Sequence, residues 1–388
     1  MFSFISPQSI HFGRGQHQQA ATIAKGFGHT ALLVHGANAA RADWLVQQCH
    51  DAGLTLETIA CRSEPSLPDI EQALAALGGF RPTVVIALGG GSVMDLAKAL
   101  AALVPCSGPP RDYLEVVGKG RPLDAAPIPV IALPTTAGTG AEVTKNAVIS
   151  VPDCGLKVSL RDPRMIPQVA IVDAQLMQGA PQRVTLSAGL DAVTQVIEPY
   201  LSCKSNPMTD AICRAAIPVG ISVLRDVVEQ GTDAAWDAMA WVSTCGGLAL
   251  ANAGLGAVHG FAGAIGGKTG APHGEICGAL LPEVLQSHLR KSQKGTDIHE
   301  RVHWVQGQID AHFANGAIGQ GIAALKEWSA AQGLPSLAAL GVSAADHDGI
   351  ASAAASSSSM KGNPFTLSQM ELVGILQATA NWGEQPQA

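Results

Sequence analysis

Along the first half of the chain, short continuous apolar runs alternate with stretches in which apolar residues recur at helical spacing. Ala31–Gly36 (ALLVHG) reads as a strand ending at a glycine, and the segment from Arg41 to about Ala52 as a helix stopped by Gly53. Leu54–Cys61 is strand-like, and Pro68–Leu77 repeats Ile70, Leu74 and Leu77 at helical intervals. Thr83–Leu88 (TVVIAL) then runs through the turn Gly89-Gly90-Gly91-Ser92 into a helix over Val93–Val104, and Ile128–Leu133 and Val169–Val172 are further apolar runs. Runs that are apolar throughout suit strands covered on both faces, so the β–α alternation predicts an open, mostly parallel, Rossmann-like sheet.

The pattern changes after about Val184. From there the apolar periodicity is helical: Leu186–Leu201, Asn206–Val228, Asp233–Val258, Leu281–Leu289, Ile318–Ala331 and Leu367–Ala380. An all-helical second domain follows, with 1–183 as an α/β domain, 184–388 as a helical one, and a hinge around Gln175–Thr185, where Gly179, Ala180 and Pro181 break the periodicity. The small-residue tract Ala351–Ser359 reads as a loop or helix end.

Composition sharpens this picture. Of 388 residues, 47% are hydrophobic and only 14% charged, against about a quarter charged in an average soluble domain, which excludes a disordered chain. A net charge of −7 without a basic stripe argues against a nucleic-acid partner, and no polybasic membrane patch stands out. The uncharged stretch Ala238–Val258 is long enough to cross a bilayer, but its Ser243, Thr244, Asn252 and four glycines suit a helix buried among helices. Eight cysteines without a C-x-x-C pair read as reduced thiols, some buried, and the start Met1–Gly13 lacks signal-peptide character. A cytoplasmic location is the expectation.

Two loops carry candidate ligand chemistry. The glycine turn at Gly89–Ser92 brings backbone N–H groups and a helix N-terminus to the end of a strand, where a pyrophosphate can sit. The run Leu133–Thr144 (LPTTAGTGAEVT) follows another apolar strand and crowds Thr135, Thr136, Thr139 and Thr144 among glycines. Open α/β sheets bind ligands at that end of their strands, so the pair suggests a nucleotide. In the second half, Asp191 and Gln195 lie four apart on one helix face, with Glu198 a further turn along, and His259 and His273 flank a glycine-rich segment. One carboxylate and two imidazoles suit a divalent iron or zinc ion with open positions.

Taken together, GGGSVMDLAKA (Gly89–Ala99), PTTAGTGAEVT (Pro134–Thr144), GLDAVTQVIEPYLS (Gly189–Ser202) and the paired VHG and PHG around His259 and His273 closely resemble, in order and spacing, the iron-containing alcohol dehydrogenase family. The resemblance spans nearly the whole chain. It implies a dehydroquinate synthase-like architecture, NAD or NADP, and a divalent metal, Fe2+ or Zn2+, held through one Asp and three His. Carried over, Asp191, His259 and His273 match three ligands and act through the metal, while Gln195, where the family has the fourth His, is a metal-site candidate whose amide oxygen binds, binds through water or stands aside. Glycerol dehydrogenases, with one Asp and two His, imply that three protein ligands suffice. Gly263 occupies the place where many members carry a second histidine near substrate, so a proton relay falls to water, a ribose hydroxyl or another group.

By the same resemblance, Gly90, Gly91 and Ser92 hold the pyrophosphate, with Asp95 and Lys98 in support, and Thr135, Thr136, Thr139 and Lys157 meet the nicotinamide half. Gly36 sits where NAD-preferring members place an Asp against the ribose 2′-OH, so NAD and NADP are both admitted. The implied reaction is hydride transfer between a primary alcohol, or its aldehyde, and nicotinamide, in a homodimer or larger homo-oligomer. Asn146, Phe261, Lys361 and Asn363 are candidates for the substrate wall. The alternatives are a metal-independent maleylacetate-type reductase of an oxoacid, which Gln195 favours, a dehydroquinate synthase-like lyase, and a nucleotide-binding protein that has lost a ligand.

Overall fold

A computed structural model describes residues 1–380. Its strands are β1 (Ser9–Phe12), β2 (Thr30–Gly36), β3 (Thr55–Cys61), β4 (Val84–Gly89), β5 (Val130–Pro134), β6 (Asn146–Val151), β7 (Leu156–Arg161) and β8 (Val169–Val172). The helices interleaved with them are α1 (Ala20–Lys25), α2 (Asp43–Asp51), α3 (Leu67–Leu77) and α4 (Gly91–Leu103). From Gln182 on, the described residues form helices only: α5 (Gln182–Leu201), α6 (Pro207–Glu229), α7 (Asp233–Ala253), α8 (Ala257–Thr269), α9 (His273–Lys291), α10 (Asp297–Phe313), α11 (Gly321–Ala331), α12 (His347–Ser356) and α13 (Gln369–Ala380). Two compact units result: Ile5–Gln178, and Gly179–Ala388 together with Met1–Phe4.

The first unit is built on a six-stranded sheet in the order β1-β8-β5-β4-β2-β3, every neighbouring pair parallel. Successive residues of the apolar runs point to opposite faces. Leu32, Val34, Val85 and Ala87 pack with Ile70, Leu96 and Leu100, whereas Ala31, Leu33, Val84 and Ile86 pack on the other side with Ala24 and Leu45. Both faces are thus covered, and this is why β2 and β4 read as unbroken apolar runs. The strand order reverses between β2 and β4: the chain leaves β2 toward β3 on one side, then returns to place β4, β5 and β8 on the other. Ligands of open sheets lodge outside such a switch point.

Two features of the first unit carry no continuous apolar run. β1 is a four-residue edge strand with alternating exposure, and β6 and β7 form a separate antiparallel hairpin whose residues are buried only in alternation. In the second unit, α10 and α12 join the expected helices. The expected single helix over Asp233–Val258 is corrected: it breaks at Gly254–Gly256, and α7 and α8 meet at 97°. Gly254 ends α7 at φ 72° and ψ −167°, an extended positive-φ conformation open essentially only to glycine. Among the described residues no single helix is long and apolar enough to cross a membrane. All eight cysteines are free thiols, five of them buried.

Candidate active site

In the first unit, the glycine turn leaves β4 and α4 begins at Gly91, so the helix's unpaired N–H groups face the end of the sheet. A side chain there would crowd the threonine loop: a Cβ on Gly90 would lie 3.2 Å from Thr136 Cγ2, and one on Gly91 would lie 3.1 Å from Thr139 Cγ2. The turn therefore lies directly against the threonine loop, and Thr135 N–H donates to the Gly89 carbonyl at 3.0 Å. Gly36, at the end of β2, is next across the switch point, and Gly36, Gly90, Gly91, Ser92, Asp95, Thr135, Thr136 and Thr139 are all partly exposed. The bare, donor-rich cradle has the chemistry a pyrophosphate needs.

Lys98 lies beneath it, fully buried on α4. Its Nζ donates to the Ala141 carbonyl at 3.0 Å and to Thr144 Oγ1 at 2.9 Å, with Asp95 Oδ1 at 3.9 Å. Burial pushes the ammonium below its ordinary pKa, opposed by Asp95 and Glu142. Lys98 thereby ties the threonine loop to the glycine-turn helix. Lys157, on β7, pairs with Glu64 and reaches none of these residues through a described contact.

In the second unit, Asp191 and Gln195 sit on the buried face of α5, His259 in the first turn of α8 and His273 at the start of α9. Asp191 Oδ1 lies 3.3 Å from His259 Nε2 and 3.9 Å from His273 Nε2. Both Asp191 Oδ1 and His259 Nε2 are buried without a properly directed hydrogen bond. Such orphaned atoms are costly unless something satisfies them, and a cation between them would. Gln195 hydrogen-bonds to Asp191. Burial works against charge on both imidazoles, but Cys277 and Asp191 outweigh it, so His273 is pushed up to about 9 and His259 well above its usual value. On Asp191 burial is likewise outweighed, by the two histidines, and its carboxyl is held low. A divalent ion would take the place of those imidazole protons beside the carboxylate.

Glu198, two turns along α5 from Asp191, fixes where His259 stands. Its Oε1 accepts the Val258 N–H at 2.7 Å, and its Oε2 faces His259 Nδ1 at 2.7 Å. Gly256 offers no side-chain cap, so Glu198 and Asn363, whose Oδ1 accepts from Ala257 N–H at 3.1 Å, satisfy the start of α8. With its Nδ1 proton donated to a carboxylate, His259 presents Nε2 to the site as the nitrogen that a metal would take in exchange for a proton. The chain places Glu198 a turn beyond Gln195, but its reach to His259, 61 positions away, is set by the packing of α5 against α8.

Cys277 also belongs to the constellation. Single ligand atoms of Asp191, His259, His273 and Cys277 all lie within 4.8 Å of one another, and Cys277 Sγ is 3.6 Å from His273 Nε2. The i, i+4 spacing of His273 and Cys277 on one helix was the available signal. Of the substrate-wall candidates, Phe261 is fully buried and Asn363 caps α8, so neither is open to a substrate here. Lys361 is exposed, and Asn146 lies on β6 in the first unit. A Cβ on Gly263 would meet nothing within 4 Å.

Comparison with known proteins places these features. The profile of the family "iron-containing alcohol dehydrogenase" matches residues 7–174, and that of its C-terminal domain matches residues 185–380. Long-chain-alcohol dehydrogenase 1 of Geobacillus thermodenitrificans is 40% identical over 230 residues, which are 59% of this chain and 57% of that protein. The NAD-dependent methanol dehydrogenase of Bacillus methanolicus is 30% identical over 384 residues, 96% of this chain and 98% of that one. The solved alcohol dehydrogenase from Oenococcus oeni superposes with a TM-score of 0.86 at 28% identity, covering 98% of this chain and 100% of the other. These relatives favour alcohol chemistry over a metal-independent reductase of an oxoacid. On both halves of its length, the chain belongs to the iron-containing alcohol dehydrogenase family, NAD(P)-dependent oxidoreductases that act on the CH–OH group with a divalent metal.

Proposed function

We propose that this chain interconverts a primary alcohol and its aldehyde, with Asp191, His259 and His273 holding the divalent ion and Gly36, Gly90, Gly91, Ser92, Asp95, Thr135, Thr136, Thr139 and Lys157 serving NAD or NADP. The observation that carries the reading is the convergence of a buried carboxylate and two imidazoles, two of whose ligand atoms lack a hydrogen-bond partner of their own. When bound, the ion polarises the alcohol or carbonyl oxygen and the nicotinamide carries the hydride. The chain's own residues do the positioning. Glu198 keeps His259 in the ligating tautomer, and Gln195 orients Asp191 through its hydrogen bond. His273, its side chain 40% exposed, leaves one side of the centre open to a substrate oxygen.

Lys98 holds the threonine loop against the glycine turn, so that N–H groups converge on one pyrophosphate position without reorganisation. With no acidic residue at Gly36, nothing there repels a 2′-phosphate, and both nicotinamide cofactors are accepted. A cytoplasmic homodimer or larger homo-oligomer is part of the same proposal, resting on family membership. The test is metal analysis of protein purified without air, followed by turnover of an alcohol and aldehyde panel with NAD(H) and NADP(H). Iron or zinc should copurify, and a chelator should abolish turnover that added metal restores. Full activity in chelator with no bound metal would overturn the reading.

A further inference from the structure

The family pattern leaves this chain one metal ligand short, because Gln195 stands at the place of a histidine. The fold supplies a different donor. Cys277 is a fully buried free thiol one turn along α9 from His273, on the same side of the helix. Two glycines bring that side onto α5: a Cβ on Gly274 would lie 2.5 Å from the Ser187 carbonyl, and one on Gly278 would lie 2.7 Å from Leu190 Cδ1. Ser187 and Leu190 flank Asp191 on α5, so the close approach that admits His273 to the centre admits Cys277 as well.

The distances discriminate between coordination geometries. With metal–nitrogen or metal–oxygen bonds of about 2.0 Å and a metal–sulfur bond of about 2.3 Å, tetrahedral ligands lie about 3.3 Å apart, or about 3.5 Å where one is sulfur. At right angles, as in an octahedron, the same bonds place ligands only about 2.8 to 3.0 Å apart. The observed separations are 3.3 Å for Asp191 Oδ1 to His259 Nε2 and 3.6 Å for His273 Nε2 to Cys277 Sγ, with 3.9 Å between Asp191 Oδ1 and His273 Nε2. All three lie nearer to tetrahedral edges than to octahedral ones, the third being longer than either, and the four ligand atoms together lie within 4.8 Å of one another. Asp191 Oδ1 and His259 Nε2 are buried without a properly directed hydrogen bond, a deficit that a cation between them would make good.

We propose that Cys277, as the thiolate, is the fourth protein ligand of the metal beside Asp191, His259 and His273, with the substrate oxygen entering as a fifth ligand, while Gln195 acts through Asp191. The proposal rests on the metal centre described above. Ligation releases the thiol proton to solvent and adds a metal–sulfur bond, with no change of oxidation state. A thiolate softens the donor set, which selects zinc over iron relative to an all-nitrogen and oxygen site.

Cobalt(II) reports this directly, because a thiolate bound to it gives an intense sulfur-to-metal charge-transfer band in the near ultraviolet. Metal-stripped full-length protein loaded with Co2+ should show that band together with the strong visible absorption of a tetrahedral ion. Cys277→Ser and Cys277→Ala should both lose the band, and should bind Zn2+ at least about tenfold more weakly in equilibrium dialysis, a ligand being worth no less than an outer-sphere partner. Gln195→Ala should keep the band. Stoichiometric cobalt without a charge-transfer band, or a band that survives both Cys277 variants, overturns the ligand assignment and leaves the three-residue centre standing. Failure of the wild type to take up Co2+, or uptake unchanged by Asp191→Ala, overturns the centre itself and the assignment with it.

Discussion

Glu198 uses one carboxylate for two purposes, and the same residue decides both a helix start and a ligand's tautomer. Replacing it with Gln leaves an acceptor for the Val258 N–H but turns an amide donor toward His259 Nδ1, which drives the imidazole proton onto Nε2. We expect Glu198→Gln to weaken Zn2+ binding by roughly 10- to 100-fold in equilibrium dialysis while the far-ultraviolet circular dichroism stays native. Unchanged zinc affinity would show that His259 needs no such partner. His288 carries a prediction about pH. Burial holds it down to about 4 in the folded protein, against an ordinary value of 6.5, with Glu198 opposing. An unfolded chain therefore takes up that proton first as the pH falls from 6.5 toward 4, and the folded state loses about 3 kcal/mol across this window. Above 6.5 the contribution is fully present. Urea denaturation at a series of pH values should show the decline, and His288→Leu should flatten it.

At the scale of elements, the centre depends on how closely helices approach. Gly274 lets the first turn of α9 lie against the α5 backbone, and an added Cβ there meets a carbonyl oxygen, which has no rotamer to swing away. Gly274→Ala should cost about 1 to 3 kcal/mol of stability from overpacking and reduce metal retention on gel filtration, because His273 and Cys277 move with the helix. Wild-type melting and metal content in that variant would mean that α9 docks elsewhere. Elements also mark where the chain was readable. β2, β4 and β5 were plain as apolar runs because a parallel sheet covered on both faces needs them so. The β6–β7 hairpin was not, since its alternate burial and the charged Lys157 and Arg161 imitate a polar loop. The α7–α8 bend was written in Gly254 and Gly256, but the uncharged stretch around them continued the helical periodicity and masked the break.

For the molecule as a whole, the two kinds of chemistry are kept in separate compact units. The glycine turn and threonine loop belong to Ile5–Gln178, and Asp191, His259, His273 and Cys277 to Gly179–Ala388. Asp191→Ala should therefore abolish alcohol oxidation while nucleotide affinity, read by quenching of protein fluorescence, stays at the wild-type value. Lost nucleotide binding in that variant would mean that the ion helps to hold the cofactor.

By itself the sequence determined the fold class and offered the candidate phosphate cradle and three candidate metal positions, because those depend on local patterns: apolar runs, glycine beside helix starts, and a motif spelled in consecutive residues. Tertiary structure alone brought Glu198 to His259 and Cys277 to Asp191. Those partners are separated by 61 and 86 positions along the chain, and each is an unremarkable helical residue until side chains from α5, α8 and α9 pack around one point. Burial then removes water from that point, so the unpaired oxygen and nitrogen left there need a cation, a requirement that no local pattern in the chain expresses.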